Sequence, residues 1–227
     1  DFSRWDAAQS LFTRIVEKGI ATHNSAELSE QTIQACRNLL QANTDPALKA
    51  LALTLPTAST IADGYQTIPV EAINAQLKSL KLQLAEALED DFKELLDVCV
   101  SEKAYQLNGE DIAKRQLKQV CLSYLAELGD KTSNRLKQQF NQADNLTDQL
   151  GALQAAIWSN NVVAEPLLNQ FEEQWRGEKL VMDKWFSTQA LANNEKTVER
   201  VKSLMTHPDF SLKNPNRIYS LLAAFTQ

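Results

Sequence analysis

Glycine and proline are scarce in this sequence. Each occurs only six times in 227 residues, well below average usage. Leucine, alanine, glutamine, glutamate and lysine recur instead, and these side chains lose little rotamer freedom in a helix. The composition therefore predicts a helix-rich protein and leaves little room for β-strands.

Clusters of positive charge and long apolar runs are also missing. The 23 lysines and arginines are scattered among 29 aspartates and glutamates, for a formal net charge of −6. Nucleic-acid-binding proteins instead concentrate basic residues on one face. No apolar run approaches the roughly 20 residues that a membrane-spanning helix needs. The sequence thus predicts neither a nucleic-acid partner nor a membrane partner.

Residue sets for catalysis are incomplete. The only two histidines are His23 and His207, and neither belongs to an H-E-x-x-H pair, which places two zinc ligands on one helix face. P-loop, G-x-S-x-G and dinucleotide-binding motifs are absent as well. The acidic runs Glu89–Asp91 and Glu172–Glu173 are best interpreted as solvated helix faces, and His207 as a partner of a helix C-terminus. We therefore expect no catalytic residue, no metal ligand and no cofactor in this chain.

The three cysteines, Cys36, Cys99 and Cys121, form no paired framework. They lie in helical apolar patterns, which predicts buried free thiols from a reducing compartment and hence a cytoplasmic protein. The large aromatic residues of the second half are expected to be core residues rather than a ligand platform. These are Trp158, Phe171, Trp175, Trp185 and Phe186.

Apolar residues recur at three- and four-residue steps from end to end, as in amphipathic helices. Asp45-Pro46 and Asn214-Pro215 each combine a cap with a first-turn proline. Roughly eleven helices joined by short polar turns favour antiparallel neighbours. The predicted fold is an all-α superhelical array of antiparallel helix pairs, an ARM/HEAT-like α-α solenoid, and residues 1–227 form one domain.

Caps and stop residues predict most helix boundaries. Gly19 should close the first helix, and Gly129 should follow a helix from Asp111 to Leu128. One unbroken helix is predicted from Val70 to Val100; a coiled coil is disfavoured there because the apolar series moves to steps of four. Asn145 should cap a helix. Further helices are predicted over residues 30–41, 132–140, 164–175, 180–191, 195–205 and 216–225.

The segment Asn214–Arg217 stands out because it places a cation near a helix N-terminus, where it is electrostatically unfavourable. Capping alone explains Asn214 and Pro215. Arg217 requires either a partner carboxylate, which is the favoured explanation, or a functional position.

Five stretches, in order along nearly the whole chain, together resemble the C-terminal helical domain of the bacterial aminopeptidase N family, the gluzincin-type zinc alanyl aminopeptidases. They are Asp1–Gln9, Glu110–Arg115, Asn145–Asp148, Leu180–Phe186 and Asn214–Arg217. The resemblance implies a parent enzyme that removes N-terminal residues from peptides. Its zinc-bound water is activated by a glutamate in an upstream catalytic domain, whose zinc and substrate-binding motifs have no match here.

By the same resemblance, this chain is a non-catalytic domain that encloses the active-site chamber and restricts access to it. Its partners are then the upstream catalytic domain of the same polypeptide and peptide substrates. Asn216, Arg217 and Tyr219 are implied to line the chamber. Family members commonly have arginine where this sequence has Tyr219, so a cationic role at that position is not carried over.

The resemblance also predicts a domain truncated at both ends. An incomplete solenoid should expose the face that its missing neighbour covers, with Leu221, Leu222 and Phe225 contributing to it. The alternative to the aminopeptidase interpretation is a freestanding α-solenoid that binds another protein on its concave face. An upstream H-E-x-x-H segment in the same reading frame would decide between them.

Overall fold

The computed structural model describes residues 2–25, 27–100 and 105–226. Within these residues the chain forms thirteen α-helices and no β-strand, which confirms the predicted all-α class. Asp1 and Gln227 lie outside the described residues. The helices are α1 (Phe2–Thr22), α2 (Glu30–Gln41), α3 (Pro46–Leu53), α4 (Ala58–Ala62), α5 (Val70–Ala87), α6 (Glu89–Val98), α7 (Gly109–Ala126), α8 (Ser133–Gln142), α9 (Leu146–Trp158), α10 (Ala164–Trp175), α11 (Lys179–Ala190), α12 (Thr197–Leu204) and α13 (Pro215–Ile218).

Several helices begin at a side-chain cap. Asp45 Oδ1 accepts the backbone N–H of Ala47 at 2.9 Å at the start of α3. At the start of α9, Asn145 Oδ1 accepts the backbone N–H of Asp148 at 3.0 Å, and Asn145 Nδ2 donates to the Asp148 carboxylate at 3.1 Å. Each cap satisfies an N–H that the first helical turn leaves unpaired. The predicted caps at Asp45 and Asn145 are therefore confirmed.

The prediction of one unbroken helix from Val70 to Val100 is wrong. Leu88 leaves the helical conformation at φ −119° and ψ 20° and separates α5 from α6. It is fully buried, so the break turns the chain without exposing its apolar side chain. Glu89–Asp91 then form the first turn of α6, where acidic side chains favour a helix start.

Other boundaries differ by a few residues from those predicted. Helix α1 continues past Gly19 to Thr22 because Gly19 lies on the buried face of this helix, and His23 closes it at φ 54°. Asn108, rather than a later residue, caps α7. Gly129 does form the turn that follows, at φ 74°, a conformation that glycine adopts without strain.

The chain divides into two compact units. The first covers Asp1–Leu128 and contains α1 to α7. Within it, α7 packs against α3, α5 and α6, and α1 packs against α3 and α5. At the centre, the rings of Phe92 and Tyr124 stack with centroids 4.8 Å apart. The Tyr124 hydroxyl donates to the carbonyl of Leu53 at 2.6 Å, so the buried phenol is hydrogen-bonded as well as packed.

The second unit covers Gly129–Gln227 and contains α8 to α13. Helix α9 packs against α8, α10 and α11, and α11 also contacts α12 and α13. The core assignment is confirmed for Phe171, Trp185 and Phe186, which are all buried. Trp175 is half-buried and donates Nε1–H to Gln149, while Trp158 is 39% exposed. The second unit has its own core, and the prediction of a single domain stays a prediction.

The expected apolar edge at the C-terminus is partly wrong. Leu221 is fully buried within the second unit, in the π-helical turn Tyr219–Ala223 that packs against α11. Leu222 is half-buried, and Phe225 is 40% exposed. Leu221 therefore does not belong to an exposed face, because α11 already covers it.

Candidate functional site

The candidate site lies on α13 of the second unit and the π-helical turn that follows it. Asn214 Oδ1 accepts the backbone N–H of Asn216 at 3.0 Å, and Pro215 occupies the first helical position, as predicted. The hydrogen-bonding pattern changes at Tyr219, where the π-helical turn begins. Such single π-turns are rare and frequently mark functional sites.

Arg217 points into the unit rather than outward. Its guanidinium pairs with the carboxylate of Asp183, and Nη1 also donates to the carbonyl of Lys179 at 3.0 Å. Nε donates to the carbonyl of Asp209 at 3.0 Å. The guanidinium carbon lies 5.1 Å from the ring centroid of Phe186, within cation–π range. The partner carboxylate required for Arg217 is therefore present.

Asn216 and Tyr219, which flank Arg217 in the sequence, are both exposed to solvent. Asn216 is exposed, and Tyr219 has 69% of its surface exposed. Residues three positions apart share one helix face, so this amide and phenol are neighbours. The structure thus separates the three residues implied to line a chamber into one buried residue and two exposed ones. Their lining role stays a prediction.

His207 follows α12 and has defined partners on both ring nitrogens. Nδ1 accepts the backbone N–H of Asp209 at 3.1 Å, so Nε2 carries the proton and donates to Glu172 at 3.2 Å. Trp185 and Phe186 contact the ring, with centroids 5.3 Å and 5.5 Å away. His207 therefore links the segment after α12 to α10 and α11.

Glu172 is shared between His207 and Arg176, which donates to it at 2.7 Å. Burial alone would raise the pKa of this carboxyl, but the hydrogen bonds from Arg176 and His207 outweigh that effect and lower the pKa.

The carboxylates of the acidic run at the start of α6 also have basic or hydrogen-bonding partners. Asp91 accepts from Arg37 at 3.2 Å, and Glu89 pairs with Lys93 at 2.8 Å. The interpretation of the two acidic runs as solvated helix faces therefore holds only in part. Glu89, Asp91 and Glu172 form ion pairs, whereas Asp90 and Glu173 are exposed.

A polar cluster that the sequence analysis missed centres on Asn161. This buried amide accepts from Ser133 Oγ at 2.8 Å and from the backbone N–H of Val163 at 3.1 Å, and it donates to the carbonyl of Gly129 at 3.1 Å. It therefore ties the starts of α8 and α10 to the preceding turn. Asn160, which precedes Asn161, adopts a positive φ of 55°, a conformation that asparagine tolerates.

Comparison with known families identifies the chain. A family model described as "Domain of unknown function (DUF3458_C) ARM repeats" matches residues 1–227. The chain belongs to this family. ARM repeats are arrays of packed helices, so the predicted solenoid class is confirmed.

Relatives of this DUF3458_C chain include aminopeptidase N of Haemophilus influenzae, 36% identical over 230 residues, and aminopeptidase N of Escherichia coli, 37% identical over 233 residues. Each alignment covers 99% of this chain and 26% of the relative. A crystal structure of Legionella pneumophila aminopeptidase A in complex with aspartic acid matches with a TM-score of 0.84 and 31% identity, over 98% of this chain and 27% of that one. The resemblance to the helical domain of aminopeptidase N is confirmed, and the chain spans about a quarter of these relatives.

Among the described residues of this DUF3458_C domain, no helix is long and apolar enough to span a membrane.

The described part of the domain also holds no group of three or more histidine, cysteine, aspartate or glutamate residues arranged to bind a metal ion. The two histidines are far apart in sequence, and His207 is engaged by Glu172. The described residues therefore offer no set that fits the zinc site, which the resemblance implies for an upstream domain of the parent enzyme.

The three cysteines of the domain are free and buried, as predicted. Burial raises the pKa of Cys36 to about 11 and raises that of Cys121 as well. A thiol reacts as its thiolate, so burial and protonation together protect Cys36 and Cys121, and burial protects Cys99.

We expect the native chain to react slowly with a thiol reagent at neutral pH and to yield three equivalents only in denaturant. The time course of labelling with and without urea measures this. Fast release of three equivalents from the native chain would contradict the buried positions of Cys36, Cys99 and Cys121.

Proposed function

We propose that this chain is the C-terminal, non-catalytic domain of a zinc metalloaminopeptidase that releases N-terminal amino acids from peptides. The observation that carries the proposal is similarity to aminopeptidase N along 99% of this chain but only 26% of the relatives. A segment outside the matched quarter would then supply the zinc, its ligands and the glutamate that activates water. The partners are that catalytic domain and peptide substrates.

The domain's own contribution is structural. Rigid helix pairs enclose the active-site chamber and admit peptides and unfolded chain ends while excluding folded proteins. Asn216 and Tyr219, both exposed, are the side chains of α13 and its π-helical turn that meet the chamber, and Arg217 supports them from inside. Three buried free thiols fit a reducing compartment, so we place the enzyme in the cytoplasm.

The experiment compares this chain with the polypeptide encoded by its whole reading frame. The longer polypeptide should hydrolyse amino-acid anilides, bind one zinc and lose activity to a chelator, because its upstream part would hold the metal. This chain alone should neither hydrolyse the anilides nor bind zinc. Chelator-sensitive hydrolysis by this chain, or a reading frame without an H-E-x-x-H segment, would contradict the proposal; the latter would favour the freestanding scaffold.

Substrate restriction is tested on the same longer polypeptide. It should trim short peptides and unfolded chains but leave the N-terminus of a stably folded protein intact. Removal of residues from folded and unfolded forms at equal rates would show that the domain does not restrict access.

A further inference from the structure

The contacts of Arg217 determine how the exposed residues beside it are held. Only 5% of the Arg217 side chain is exposed, whereas Tyr219, two residues later, is 69% exposed. Helix α13 continues directly into the π-helical turn, and so short a helical segment gains little stability from its own hydrogen bonds. Its position must therefore come from contacts with the rest of the unit.

Besides the packing of the π-helical turn against α11, Arg217 makes polar contacts with two separate segments. Its partners on α11 are the carboxylate of Asp183, the carbonyl of Lys179 and the ring of Phe186. From the segment after α12 comes the carbonyl of Asp209. A guanidinium is planar with donors in a fixed fork, so several simultaneous partners define both its position and its orientation.

We propose that Asp183 is a positioning residue that acts through Arg217. It fixes the turn that presents Asn216 and Tyr219, and this turn contacts the backbone of bound peptides. The inference rests on the proposed function, which places the turn in the chamber. Among the described partners of Arg217, Asp183 alone contributes a charged group, and a charge-assisted bond is roughly twice as strong as a neutral one. Loss of the Asp183 charge should therefore weaken the positioning of the Arg217 guanidinium more than loss of a carbonyl contact would.

The chemistry of the presented pair indicates what it binds. The Asn216 amide both donates and accepts hydrogen bonds, and so does the Tyr219 hydroxyl. Together the amide and the hydroxyl match the alternating carbonyl and N–H groups of a peptide backbone. The pair should therefore bind peptides regardless of their terminal or side-chain charge.

The test uses the longer polypeptide and compares steady-state constants for a tetrapeptide amide and for an amino-acid anilide, which is too short to reach beyond the reacting residue. Asp183→Asn should raise KM for the peptide by about three- to tenfold, equal to one neutral hydrogen bond, with kcat and the anilide constants unchanged. Asp183→Glu should restore part of the loss. Tyr219→Ala should have a similar effect, and the double variant should be no worse than either single variant, because both disturb the same contact.

A matched control separates positioning from general destabilisation. Glu165→Gln breaks the ion pair with Arg200 in the same unit without touching the turn, and it should leave both substrates unchanged. Unfolding midpoints of all variants are measured in parallel. If Asp183→Asn lowers the midpoint but leaves the peptide KM unchanged, or raises KM equally for peptide and anilide, the positioning role is overturned while the proposed function stands. An unsubstituted polypeptide without aminopeptidase activity would instead overturn the proposed function, and the inference with it.

Discussion

Replacing Phe92 with alanine is expected to destabilise the first unit by about 3–5 kcal/mol. Phe92 is fully buried, and its ring lies within 5° of parallel to that of Tyr124 at a centroid distance of 4.8 Å. Truncation removes the transfer free energy of the ring and leaves a cavity that the surrounding helices fill only in part. The stacking with Tyr124 is lost as well.

The cysteines make this effect measurable in one unit alone. Cys36, Cys99 and Cys121 are all buried and all lie within residues 1–128, so thiol labelling against urea concentration reports the unfolding of the first unit. The midpoint for Phe92→Ala should fall by about 1 M or more. Phe2→Ala is the matched control: Phe2 is 74% exposed, and its loss should change stability by less than about 0.5 kcal/mol. Similar shifts for the two variants would refute the central position of Phe92.

The helices that begin at a polar cap could be predicted from the sequence. Asp45, Asn145 and Asn214 all cap as expected, because capping depends on residues only two or three positions apart. The break at Leu88 could not be predicted in this way. Leu84, Leu88 and Phe92 are all buried and keep a four-residue step, and neither glycine nor proline marks the turn between them. Periodicity alone does not distinguish one long helix from two that bury a continuous apolar series.

The candidate site was predictable to a similar extent. A cation near a helix N-terminus needs compensation, and for this reason a carboxylate partner was the favoured of the two explanations for Arg217. That partner, Asp183, lies 34 residues earlier in the sequence, and no local pattern connects the two positions. The same holds for His207, whose partner Glu172 is 35 residues away. Pairing across helices is set by tertiary packing, which the sequence of each helix does not specify.

Asn161 is the most consequential residue that the sequence analysis missed, and Asn161→Ala is expected to destabilise the second unit by about 3 kcal/mol or more. The change leaves the Ser133 hydroxyl and the Val163 N–H without the partner that the amide supplies. The Gly129 carbonyl loses one of its two hydrogen bonds and keeps the one from Thr132. A buried polar group that loses its only partner costs about 1–3 kcal/mol. Because the amide joins three segments, the starts of α8 and α10 should loosen together.

Tryptophan fluorescence against urea concentration reports this unit, since Trp158, Trp175 and Trp185 all lie in it and only Trp5 lies in the first. Ser133→Ala serves as the graded comparison: it removes only the 2.8 Å bond to the amide and should cost about 1 kcal/mol. The double variant should be no less stable than Asn161→Ala, because it removes the hydroxyl that the first change leaves unpaired. If Asn161→Ala costs no more than Ser133→Ala, or if the two effects simply add, the amide does not act as the shared centre of this cluster, and the segments around it are held by apolar packing alone.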